Sequence, residues 1–491
     1  MLFTSITFAF FLLAVFILYW FGFSRNLKLQ NLFLLVSSYF FYGWWDLRFL
    51  LLLFFISSSN YIIAIGIQKI ENNLFRKSLF ITGLIINIGT LVIFKYFNFF
   101  MDGIVHAISL IGIKANLQTF NIILPVGISF YIFLSLSYII DCYQHKLSAV
   151  SNFFDALLTF SFFPIILAGP IQRPISLLPQ IQNKRIFNYD KAADGLRQIL
   201  WGLFMKIVIA DRCAVHSNLI FADSSTYAGS TLILGIFFFT VQIYADFAGY
   251  SNIAIGIGKL LGFNIMQNFN FPYFVRDIRE FWKRWNISLT TWFRDYVFLP
   301  IAYYVSRNIK SDHFYLIKTE FLIYTVGIAF TWILTGLWHG ANYTFIIWGL
   351  FHGFFLIIDH VGAKPRKRLL KRLNIRNDNI MLTIVDFLVT FIIIMLSWIF
   401  FKADNLGHAL SYFSGIFSLS IFTIPVIIPK VTLLLIAGFS IVEWMGRGQE
   451  YAIAKLGSNW PFLVRWAIYY GIILLIFYFG GSEQQFIYFQ F

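Results

Sequence analysis

The residues best suited to chemistry lie in the run TGLWHGANYTFIIWGLFHG, where His339 ends one apolar stretch just before another begins, flanked by Trp338 and Gly340. A neutral imidazole can take a proton from a hydroxyl near neutral pH, and a well-placed general base is worth roughly 10² to 10⁴ in rate. At membrane depth an ionisable side chain is unfavourable without a partner or a cavity, so His339 either works chemically or hydrogen-bonds a neighbouring helix. Gly340 beside it lets backbone or an acyl chain come close. His352, in GLFHG, lies about three and a half helical turns further on and reads as a helix-packing histidine. His106, His145, His216, His313, His360 and His408 fall in or beside polar loops and read as solvated.

Three further segments carry polar chemistry. In QIYADFAGYSNIAIGIG, Asp246 follows an apolar run, and Gly249, Gly256 and Gly258 interrupt the helical pattern; Asp246 either pairs with a basic residue of the neighbouring amphipathic segment or lines a substrate channel. In LAGPIQRP, Gly169, Pro170 and Pro174 stop a helix and leave Gln172 and Arg173 in an irregular turn, a cavity wall or an interface position. From Val275 to Arg294, Ile278, Phe281, Trp285 and Trp292 share an apolar face at helical spacing while Arg276, Arg279 and Lys283 point elsewhere; the pattern predicts an interfacial amphipathic segment that contains Arg284 and Asn286.

The elements that must hold these residues are set by composition. With 59% hydrophobic residues, 12% charged and a mean hydropathy of +0.76, the chain needs a bilayer as solvent. Its +15 charge is scattered over short loops rather than gathered on a soluble domain, so nucleic acid is excluded as a partner and membrane lipid is expected. Cys142 and Cys213 are far apart and in no ligand spacing, so neither disulfide nor metal is expected. The apolar run Thr7 to Phe23 lacks a basic leader and a cleavage site, and reads as a retained span. Apolar runs predict about eleven true spans plus re-entrant pieces in one all-α domain, residues 1–491, with core motifs in 122–362 and further helices in 363–491. Lys364 to Arg376 holds seven basic residues and no acid and is placed in the cytoplasm.

In order along the chain, SSYFFYGWWDLRFLLLL, LPVGISFYIFLSLSYIIDCY, LAGPIQRP, QIYADFAGYSNIAIGIGKLLGF, REFWKRWNISLTTWFRDYVFLP and GLWHGANYTFIIWGLFHG resemble the membrane-bound O-acyltransferase family, in the bacterial polysaccharide branch of alginate O-acetyltransferase. The resemblance implies a ring of tilted helices around a thinned centre, funnels on both faces, and residence in the bacterial cytoplasmic membrane. It implies His339 as the catalytic histidine. Asn286 stands where the branch often has His; an amide cannot act as a base, but it can hold an acyl carbonyl or orient a hydroxyl. Asn252 stands where Asp is common. With these, Trp338, Trp285, Asp246, Gln172, Arg173 and Arg284 are expected to bind substrate. The implied reaction moves an acetyl group from acetyl-CoA, with no bound cofactor, toward hydroxyls of an exported polysaccharide. A secreted or membrane-anchored second transferase of the serine-esterase type completes it. Two alternatives remain: D-alanyl transfer to teichoic acid from an acyl carrier protein, and a non-enzymatic transporter or scaffold.

Overall fold

The computed structural model describes residues 1–110, 122–315, 317–376, 378–457, 460–481 and 484–487. The expected all-α class is what forms. Among these residues the only β-structure is one antiparallel pair, His313–Phe314 with Ile317–Lys318. Helix starts are written locally: the side chains of Asn26, Asp46, Asn152, Asp277, Asn342 and Asn405 each accept from first-turn amides that have no partner inside their helix.

The chain divides into two compact units. The first comprises residues 1–199 and 250–266. It holds α1 (Ile6–Ile17), α2 (Leu27–Gly43), α3 (Leu47–Lys69), α4 (Asn73–Leu110), α5 (Ile128–Tyr143), α6 (Phe153–Ser161), α7 (Phe163–Ile166), α8 (Pro174–Gln182) and most of α9 (Tyr189–Leu203). Its core joins Ile63, Tyr138, Ile139, Phe160 and Leu178. One buried cation organises it: the Arg185 guanidinium donates to the carbonyls of Gln180 and Ile181 and to the side chains of Gln30 and Asn31, and lies 4.9 Å from the Phe263 ring.

The second unit, residues 200–249 and 267–491, holds α10 (Asp211–Ala222), most of α11 (Gly229–Leu260), α12 (Ile278–Arg284), α13 (Ile287–Phe293) and α14 (Leu299–Asn308). It continues with α15 (Thr319–His339), α16 (Tyr343–Arg372), α17 (Ile380–Lys402), α18 (Leu406–Ile416), α19 (Lys430–Gly446) and α20 (Phe462–Phe479). Among the described residues seven helices are long and apolar enough to cross a membrane: α3, α4, α11, α15, α16, α17 and α20, with shorter apolar helices at 6–22, 128–143 and 153–166. They differ in role. Over its most apolar stretch α11 is 83% buried and α20 only 6%, so α11 is interior and α20 presents its surface to lipid. Exposed Phe, Leu and Ile along α1, α3, α17 and α20 would be untenable against water and are ordinary against acyl chains.

Two expectations are corrected. Gly249, Gly256 and Gly258 do not end a helix, because α11 runs through all three to Leu260. The first two serve close packing instead: a Cβ on Gly249 would stand 2.8 Å from the Gly202 carbonyl oxygen, and one on Gly256 2.5 Å from that of Gly195. The amphipathic run 275–294 is not one helix. It is split at Trp285–Asn286 into α12 and α13, although Ile278, Phe281, Trp285 and Trp292 are all buried as their spacing required.

Candidate active site

His339 is the last residue of α15, which packs against α16 as an antiparallel pair across the turn Gly340–Asn342. Small residues set how near the two helices lie. A Cβ on Gly336 would fall 2.3 Å from the Phe345 carbonyl oxygen, and one on Gly349 2.2 Å from that of Trp332, so only glycine permits this crossing. The imidazole is 6% exposed and ringed by Trp338, Trp348 and Phe401 at centroid distances of 4.7, 4.8 and 5.0 Å. Such an enclosure keeps bulk water from a proton-transfer step.

Asn286 follows α12, which is pinned at three-residue intervals from just before its start. Arg276 pairs with Asp386 of α17 at 3.0 Å, Arg279 with Asp359 of α16, and Trp282 Nε1 donates to His352 Nδ1 at 3.3 Å. Burial strips water from the Arg279 guanidinium, and Asp359 more than offsets that, holding its pKa above the ordinary value. His352 is fully buried and its Nε2 lies 3.0 Å from Ser397 Oγ, so it ties α12, α16 and α17 together, the packing expected of it. After Trp285 the chain turns through Asn286 at φ 41° and ψ 54°, a left-handed conformation that Asn tolerates better than most residues. Asn268 holds this turn from outside, its carbonyl accepting from Ile287 N at 2.8 Å and its side chain from Ser288 N and Oγ. The Asn286 side chain caps no helix and, among the described residues, makes no hydrogen bond, although the residue is 2% exposed. From Trp285 a file of indoles leads to His339, through Trp398 at 5.1 Å, Trp348 at a further 5.8 Å, and the imidazole at 4.8 Å.

A cavity of about 550 Å³ lies between α12–α13 and α15. Its walls are Trp282, Leu289, Phe293, Phe298, Ile328 and Trp332, and its cations are Arg279, Lys283 and Arg294. Along α15 it is lined by Tyr324, Ile328, Thr331 and Thr335. Thr331, Thr335 and His339 recur every four residues, so they share one face, and His339 is about 6 Å along the helix from Thr335. The sequence reading did not single out this cavity, since its residues come from four helices.

The other expected binding residues divide. Trp338 is buried against His339, and Arg284 pairs with Glu280 at 2.6 Å. Asp246 takes a different partner from the expected one: Lys206 Nζ lies 2.9 Å from it and 2.7 Å from Asp211, and also donates to the Gln484 carbonyl, while Ile487 N donates to Asp246 Oδ2. The clue was a lone lysine in the apolar run GLFMKIVIA. Gln172 and Arg173 belong to the first unit. They lie in the irregular stretch expected of them, with Pro174 beginning α8, and Gln172 is buried with its amide 3.4 Å from the Pro170 carbonyl. Asn252 accepts from Gln198 at 2.9 Å. Of the six histidines expected in solvent, His216 and His360 sit on helices, His216 bonded to Thr432 at 3.1 Å and His360 stacked on Tyr324 at 4.3 Å. His408 lies in the first turn of α18, and the side chain of His106 is outside the described residues.

Comparison with known proteins bears on the family. The profile of the membrane-bound O-acyltransferase family matches residues 143–403. The probable alginate O-acetylase AlgI of Pseudomonas aeruginosa is 36% identical over 422 residues, covering 85% of this chain and 75% of the relative. The peptidoglycan O-acetyltransferase of Helicobacter pylori is 31% identical over 425 residues, covering 81% and 76%. The teichoic acid D-alanyltransferase of Bacillus subtilis is more distant, 28% identical over 226 residues, covering 45% and 55%. A multi-pass chain with this buried histidine, this profile over more than half its length and these relatives over most of it is an enzyme that transfers acyl groups, and it belongs to the membrane-bound O-acyltransferase family.

Proposed function

We propose that the protein acetylates hydroxyls of an exported polysaccharide across the bacterial cytoplasmic membrane, with acetyl-CoA as donor. The observation that carries the reading is the shared face of α15: Thr331 and Thr335 line an apolar cavity that also holds three cations, and the buried His339 follows them on the same helix face. Lys283 and Arg294 suit the phosphates of a nucleotide thioester, and the apolar walls suit its uncharged arm. His339 takes the proton of the attacking hydroxyl, the Asn286 amide donates to the carbonyl oxygen as negative charge develops there, and the thiolate leaves with a proton. Trp338 and Trp285 shape the apolar enclosure. A second transferase of the serine-esterase type outside the membrane completes delivery. The relatives matched over most of their length are named for O-acetylation, whereas the D-alanyltransferases match over less, so acetyl is the acyl group proposed.

Replacing His339 by Ala, with protein abundance followed in the membrane fraction, is expected to remove ester-linked acetate from the exopolysaccharide or wall by roughly 10²-fold or more. Unchanged ester content at normal abundance would refute the reading.

A further inference from the structure

Far along the chain from His339, three side chains meet in an order suited to nucleophilic catalysis. Ser224 opens a short 3-10 turn after α10, and its Oγ lies 3.2 Å from His408 Nε2. His408 Nδ1 lies 3.3 Å from the Asp404 carboxylate. The Asp404 backbone N–H donates to the same nitrogen at 3.5 Å, so one residue offers Nδ1 both a donor and a carboxylate; the tautomer with its proton on Nδ1 turns to the carboxylate and leaves Nε2 able to accept from serine. Buried packing sets this geometry: Phe221, three residues before Ser224, stacks on Tyr412, four residues after His408, at 4.3 Å, and Tyr412 donates to the Leu232 carbonyl at 2.8 Å. Capping α18 requires only the His408 amide, which donates to Asn405 Oδ1 at 2.9 Å; it does not require the ring to bridge Ser224 and Asp404.

The position is open. The Asp404 side chain is 86% exposed and that of His408 17%. Asn342, the N-cap of α16, donates to the Asp404 carbonyl at 2.7 Å, which puts this cluster at the end of α16 opposite its Lys364–Arg372 stretch. A helix of 30 residues is about 45 Å long, enough to separate the two ends by a bilayer.

We propose that Ser224 and His408, positioned by Asp404, form a second acyl-transfer centre on the face away from the cationic end of α16, where Ser224 carries the acyl group as an ester. Ser224 Oγ attacks the carbonyl carbon of an incoming acyl ester while its proton passes to His408 Nε2. The new carbon–oxygen bond forms as the old one breaks, and the leaving alcohol takes that proton. A polysaccharide hydroxyl then attacks the seryl ester, gives its proton to His408, and Ser224 is released with the proton restored. The centre rests on the proposed function only for which acyl group it carries.

Full-length protein in detergent, treated with a fluorophosphonate probe and digested for mass spectrometry, tests this without any acyl donor. A covalent adduct on Ser224 is expected. It should be absent in Ser224→Ala, form roughly 10²-fold more slowly in His408→Ala, and persist in Ser225→Ala. Asp404→Asn should slow labelling and move its pH midpoint, which a purely structural carboxylate would not do. Wild-type protein that melts cooperatively yet gains no adduct on Ser224, or labelling indifferent to His408, overturns the proposal. Either result leaves the polysaccharide ester assay of His339 untouched, so the two readings stand or fall separately.

Discussion

At Asn286 one side chain serves two purposes that substitution can separate. The residue must tolerate a left-handed backbone, and among the described residues its side chain makes no hydrogen bond, which leaves the amide available to a substrate carbonyl. Asn286→Gly keeps the turn and removes the amide, so acyl transfer should fall by roughly 10²-fold, as for an oxyanion-hole donor, while the melting temperature stays near wild type. Asn286→Ala removes the amide and adds a backbone penalty of about 1–2 kcal/mol, visible as lower thermal stability in detergent. Equal activity in the glycine variant and the wild type would show that the amide contributes nothing. Lys206 makes a different argument. It stands between two buried carboxylates and also binds the chain near Gln484, so Lys206→Met leaves uncompensated charge in an apolar interior. A loss of about 3–5 kcal/mol is expected, with lower yield in the membrane fraction and a lower melting temperature. Lys206→Arg, which keeps the charge, should recover part of it.

Among the elements, the α15–α16 pair decides whether His339 is correctly placed. The helices touch through Gly336 and Gly349, where even one methyl group would overlap backbone. Gly349→Ala should therefore push α15 outward at Trp332, one helical face from Thr335 and His339, and lower acyl transfer more than it lowers abundance. Gly362, on the same helix with open space around it, is the control: Gly362→Ala should leave both unchanged. The α12–α13 break works in the same way from the other side. Arg276, Arg279 and Trp282 hold α12 against α16 and α17, so the turn at Asn286 is presented from a fixed platform rather than from a loop. Within the cavity, Lys283→Gln combined with Arg294→Gln should raise the KM for acetyl-CoA while leaving the maximal rate near wild type, because the role proposed for both lining cations is to hold the donor's phosphates rather than the reacting carbonyl. A fall in maximal rate with unchanged KM would contradict that role.

For the whole molecule, the distribution of charge yields a topology that can be measured. The stretch from Lys364 to Arg376 should face the cytoplasm, which puts the start of α16 and the end of α17 on the outer side. Cys142 and Cys213 are buried, so added cysteines report cleanly. In intact cells a membrane-impermeant maleimide should label Leu410→Cys, which is exposed on α18, and should not label Lys371→Cys until the membrane is opened. The reverse pattern would invert the proposed direction of transfer. Much of this protein was legible in its residues alone. Hydropathy accumulates along a chain without regard to what folds beside it, so the membrane class and the all-α fold could be read directly. Irregular backbone at 169–173 was legible too, since Gly and Pro act locally. Partnership was not. Glycines that punctuate a pattern on paper became contact points inside α11, because whether a glycine ends a helix or lets another approach depends on what lies across from it. Asp246 found Lys206 instead of the basic run expected for it, and His408, set down as a solvated side chain, met Ser224 across 184 positions. Such meetings leave no periodic trace, because they are fixed by packing between helices rather than within one; the identity of the candidate residues was local, and their company was decided only by the tertiary structure.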